Sequence, residues 1–172
     1  MNFESKILEN AIIYDNYFNG EFNFTFLKNP ICIQYAITNT VEHRILGEKK
    51  TNRLEKFTEL EGLFFQLIDF LDNTKYDHYK DIIAQKLSDE SLIYWENEAK
   101  KTEKHRLSKE IYLDDICIEW RKDFWDIEKD EIIYKERFEI GLGFFDPKKE
   151  NEYSISVELN PINFEIEKAY FE

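Results

Sequence analysis

A chain of 172 residues that is 42% hydrophobic and 34% charged has the size of one domain and enough apolar content to repay the entropy of folding, which argues against a disordered chain and against two cores. Its 36 acidic residues against 23 basic ones leave a formal charge of −13, a field that repels phosphate backbones and attracts cationic partners, so no nucleic-acid partner is expected. Cys32 and Cys117 are the only cysteines, too few for a disulfide scaffold or a four-cysteine zinc site.

The first nine residues carry Glu4, Lys6 and Glu9 and lack the apolar stretch of a secretory signal. The most apolar interior run, Leu63 to Ile68, falls far short of the ~20 apolar residues needed to cross a bilayer. A cytoplasmic protein without a membrane partner is expected. No Gly/Ser-rich or Pro-rich stretch marks a boundary, so residues 1–172 are read as a single domain.

Phe22, Phe24 and Phe26 alternate with polar residues at the period of a half-buried strand, and Asn19-Gly20 before them has the residues of a type I′ hairpin turn. A hairpin pairing about 11–18 with 21–27 is therefore predicted. Ile31 to Ile37, apolar on both faces and rich in β-formers, reads as a more central third strand. Leu54, Phe57, Leu60, Phe64, Leu67 and Leu71 then recur at helical spacing, with Asn52 and Glu55 as capping box. Thr74 and Asp77 are read as the capping box of a second helix ending near Leu87, with Tyr76, Tyr79 and Ile83 on one side. A third helix is predicted over 88–106 on the stripe Leu92, Trp95 and Ala99.

The two-residue period returns at Ile116, Ile118 and Trp120, at Phe138, Ile140, Leu142 and Phe144, at Tyr153, Ile155, Val157 and Leu159, and at Phe164 and Ile166. The order strands, helices, strands predicts an α+β fold: an antiparallel sheet from N-terminal and C-terminal strands, with a central set of two to three helices packed on one face. A doubly wound fold is the weaker alternative, because clean alternation in the C-terminal strands leaves one sheet face wet.

No catalytic motif is present, and no cofactor is expected. His43, His78 and His105 are too scattered for a ligand-spaced pair. Gly141-Leu142-Gly143 lacks the helix that would aim amides at phosphate and is read as a bulge or bend. The basic cluster Lys100, Lys101, Lys104, His105, Arg106 and Lys109 is read as complementing the dipole of the predicted third helix. Both cysteines alternate with isoleucines, as small half-buried thiols do.

The candidate partner-binding surface is the segment 114–131, where Asp114, Asp115, Glu119, Asp123, Asp126, Glu128, Asp130 and Glu131 face three basic residues, with Trp120 and Trp125 between them. Tryptophan anchors inside an acidic rim suit a cationic partner. The competing reading places Trp120 in the core by strand alternation, with Trp125 capping its edge. The same carboxylates also suit a metal-dependent hydrolase, the main alternative, and the Phe and Tyr surplus suits a small regulatory or ligand-binding domain.

In size, acidity and order of elements the whole chain loosely resembles the small immunity proteins that bacteria encode beside polymorphic or contact-dependent toxins. No motif carries this resemblance, and it transfers no site residues. It implies a cytosolic inhibitor, not an enzyme, that neutralises one cognate toxin domain, a basic protein partner, by direct binding.

Overall fold

The computed structural model describes residues 3–14, 16–38, 53–89, 92–96, 99–103, 110–126, 129–147 and 154–171. Among these lie strands β1 (Glu9–Ile13), β2 (Tyr17–Phe22) and β3 (Ile31–Thr38), helices α1 (Arg53–Phe70) and α2 (Asn73–Asp89), and strands β4 (Leu92–Glu96), β5 (Ala99–Glu103), β6 (Tyr112–Asp126), β7 (Glu131–Phe145), β8 (Ile155–Leu159) and β9 (Ile166–Phe171). Seven strands make one sheet in the order β1-β2-β3-β6-β7-β8-β9, and β4 pairs with β5 apart from it.

The expected antiparallel sheet with a central set of two to three helices is not what forms. β3 and β6 run parallel, with Ile33 opposite Ile116 and Tyr35 opposite Ile118, while every other neighbouring pair in the sheet is antiparallel. Among the described residues 70 lie in strands and 35 in the two helices. The two meanders are each antiparallel because short loops join their strands. Where they meet, the long connection through α1, α2 and the β4–β5 ribbon returns the chain in the same direction, as a parallel pair requires.

The third predicted helix is replaced by the β4–β5 ribbon. Its apolar stripe was only three residues deep, whereas Leu92-Ile93-Tyr94-Trp95 is a run of residues that mostly favour strands. Lys100 and Lys101 therefore sit in β5 rather than at a helix end, and 104–109 lie outside the described residues. The N-terminal hairpin exists, but its turn is earlier. Tyr14 donates its amide to the Tyr17 carbonyl at 2.8 Å, and Asn19-Gly20 lies within β2, opposite Gln34 and Ile33. A Cβ on Gly20 would stand 2.7 Å from the Leu8 Cβ, so this glycine admits a neighbouring segment instead of turning the chain.

The cap of α2 is also shifted. Asp72 Oδ1 accepts from the Lys75 amide at 2.8 Å, the geometry of an N-cap two residues before Thr74. Asn52, the expected cap of α1, lies outside the described residues.

One face of the sheet is sealed by the helices. Phe57, Leu60, Phe64, Leu67 and Leu71 of the α1 segment and Tyr76, Tyr79 and Ile83 of α2 are buried in one cluster with Ile33, Tyr35, Ile116, Ile118, Ile140, Leu142, Ile155 and Val157. α1 packs on β3 and β6, and α2 on β9. The Tyr35 and Phe64 rings meet edge to face at 6.1 Å, and Tyr76 stacks on Phe144 at 6.3 Å. A bulge at Asp114, between the pairs Leu113–Phe144 and Asp115–Gly143, lets both Leu113 and Ile116 face the core.

Two helix tyrosines tie irregular backbone to this core. Tyr76 Oη accepts from the Leu113 amide at the bulge, at 3.0 Å. Tyr79 Oη donates to the carbonyl of Phe164, a residue held at φ 58°. Tyr35, fully buried, instead has a hydroxyl with no hydrogen-bond partner among the described residues. Tyr76→Phe orphans a buried amide and should cost about 1–3 kcal/mol by urea denaturation with the m-value unchanged, whereas Tyr35→Phe removes only an unpaired hydroxyl and should be neutral or stabilising.

Candidate functional site

Alternation places every second residue of the central strands on the face opposite α1 and α2. The pairing aligns them in rows across the sheet. One row runs Glu21, Cys32, Asp115, Gly143, Ser156 and Tyr170, and the next runs Asn19, Gln34, Cys117, Gly141, Glu158 and Lys168. A third brings Ala36, Glu119 and Glu139 side by side, and a fourth Thr38, Arg121 and Arg137. Over β6 to β9 these residues line an open concavity of about 740 Å³.

Like charges sit directly opposite one another in the third and fourth rows, an arrangement that is destabilising unless opposite charges in the adjacent row answer it. They do. Arg121 Nη2 lies 3.0 Å from Glu119 Oε2, Arg121 Nε 3.6 Å from Glu139 Oε2, and Arg137 pairs with Glu139. The quartet is close to neutral. Glu158 receives Lys168 Nζ at 3.0 Å and the Tyr170 hydroxyl at 3.4 Å. Even so, six carboxylates and three cations line the concavity, so its own charge is negative.

The acidic excess is felt by the thiols. Burial pushes the Cys117 thiol up to about 12, and Glu119, Asp115 and Glu139 add to the effect. Its sulfur lies 3.6 Å from Gln34 Oε1. Cys32 is raised as well, first by burial and then by Asp115, Glu21 and Asp114. A thiolate is disfavoured at both positions, the opposite of what a nucleophilic cysteine needs. Among the described residues no group of three His, Cys, Asp or Glu side chains is placed to hold a metal ion, although Asp115, Cys117 and Glu119 share one face.

The surface expected over 114–131 is divided by the fold. Asp115 is exposed on the open face, Glu119 is half-buried there, and Asp114 is exposed at the bulge. Trp120 points the other way, buried among the helices, with Lys56 Nζ 4.9 Å above its ring. Asp123, Trp125 and Asp126 lie at the far end of β6, opposite Tyr134, Ile132 and Glu131; their side chains and that of Glu131 lie outside the described residues, as does Glu128 altogether. Asp130 is exposed at a turn with φ 54°.

Sequence reasoning passed over Arg121, Arg137, Glu139 and Glu158, and read Gly141 only as part of a bulge or bend. The signal was available, because these are the residues between the apolar positions of β6, β7 and β8. Gly143 also proves to have a specific seat: a Cβ there would stand 2.6–2.8 Å from the Asp115 carboxylate. The expected bulge lies not at the glycines but on β6, across from Gly143.

Compared with protein-family models, curated proteins and solved structures, the chain has no match. No helix among the described residues is long and apolar enough to cross a membrane.

The raised thiols set a pH dependence. A Cys117 that keeps its proton in the folded state up to about 12 stabilises the fold relative to an unfolded chain whose thiol ionises near the ordinary 9.0. That stability is complete below the unfolded value and is lost as pH rises toward the folded one. The stability difference between the wild type and Cys117→Ala should thus shrink from pH 9 upward in urea titrations. Alkylation by iodoacetamide at neutral pH should be far slower in the folded protein than in urea, and slower at Cys117 than at the exposed Cys32.

Proposed function

We propose that the protein is a cytoplasmic inhibitor of immunity type that acts by binding a basic protein partner, not by catalysis. The observation that carries this reading is a seven-stranded sheet on which α1 and α2 seal one face, while the other, among the described residues, holds an open, polar, net-negative concavity of about 740 Å³. Such a broad surface suits a macromolecular partner better than a small-molecule site, which would enclose its ligand. The formal charge of −13 speeds encounter with a cation and rejects acidic competitors.

Affinity capture from cells that co-express the product of the adjacent gene tests the proposal. A basic, toxin-like protein should co-purify, lose its toxicity in the complex, and be released progressively as salt is raised. An adjacent product unlike a toxin, with no basic protein retained at low salt, would refute the immunity reading.

A further inference from the structure

Within the open face, β7 carries a stretch without side chains. Arg137 and Glu139 give way along the strand to Gly141 and Gly143, which lie on the same face. Gly143 is needed internally, since the Asp115 carboxylate occupies the space of its missing Cβ. Gly141 is not. A Cβ there would meet only the Cys117 carbonyl oxygen at 3.9 Å, and its φ lies outside the left-handed region.

A glycine in the middle of a strand weakens that strand, and where the fold does not call for it, it marks a place where something approaches the backbone closely. Gly141 lies between Cys117 on β6 and Glu158 on β8. The Cys117 side is uncharged, because its thiol holds its proton. Glu158 supplies a carboxylate on the other side, Asp115 stands at one end of the floor and Glu139 at the other. The cation facing this floor from β9 is Lys168, whose side chain is 68% exposed, so an incoming cation can displace it.

We propose that the floor at Gly141 is the point where the partner docks, and that it seats one lysine or arginine side chain of a cationic protein. The aliphatic stem lies across Gly141 and Cys117, and the charged head reaches the carboxylates of Glu158 and Asp115. This inference rests on the basic-partner reading given above and adds its location and geometry. Charge complementarity between a concavity with six carboxylates and three cations and a positive side chain selects this occupant over an apolar or acidic one.

The test uses an octalysine peptide as the probe, titrated into the full-length protein at low salt and followed by amide chemical shifts and calorimetry. Saturable binding is expected, with shifts concentrated at Gly141, Gly143, Cys117 and Glu158. Gly141→Val fills the floor without changing charge and should weaken binding about tenfold. Gly141→Ala should weaken it less and leave the melting temperature unchanged or raised, which keeps the test valid if the valine variant misfolds. Asp69→Asn, which removes one negative charge from the exposed side of α1, should alter affinity less than twofold. If both Gly141 variants bind as the wild type does, or if shifts spread evenly over the acidic surface, the seat at Gly141 is refuted while the basic-partner reading stands. If the wild type shows no binding, both fall.

Discussion

The parallel pairing of β3 with β6 is the constraint on which the rest of the molecule depends. Two antiparallel meanders, β1 to β3 and β6 to β9, become one sheet only through this pair, and a parallel neighbour can be reached only by a crossover. α1 and α2 lie within that crossover, and both end on the same side, burying Phe64, Leu67, Tyr79 and Ile83 against Ile33, Ile116 and their row. The covered face is consequently apolar on every central strand. The bare face follows from the same event, since no other helix is found among the described residues to close it.

Periodicity identified most of this correctly at the level of single elements. The spacing of Phe57, Leu60, Phe64 and Leu67 locates α1, and the alternation of Phe138, Ile140, Leu142 and Phe144 locates β7 with its core face. The direction in which β3 meets β6 was not readable, because alternation is the same in parallel and antiparallel strands. The true position of the first turn was hidden by a misleading signal: Asn19-Gly20 has turn residues, but Gly20 is there to admit Leu8. The third helix failed because three apolar residues in a polar segment carry little periodic information, and the run from Leu92 to Trp95 favoured strand pairing instead.

The candidate surface was legible in composition and misassigned in geometry. The acidity around Asp114 to Glu119 does reach solvent, yet a strand sends Glu119 and Trp120 to opposite faces, so a continuous acidic patch anchored by Trp120 does not form. Much of the candidate face lies on β7 and β8, far away in sequence, and only the register joins Cys117 to Gly141 and Gly141 to Glu158. The close pairing of Glu119, Arg121, Glu139 and Arg137 also neutralises charges that a linear count treats as free. What remains acidic is the side near Asp115 and Cys32, where the thiols register it.

Interstrand nuclear Overhauser contacts between β3 and β6 test the central architectural claim most directly. A parallel register with Gln34 opposite Cys117 and Tyr35 opposite Ile118 predicts amide-to-α-proton contacts between these strands and no close α-to-α proton contacts. Strong α-to-α contacts between the two strands would mean antiparallel pairing. They would remove the crossover that seals one face and, with it, the reason the other face is open.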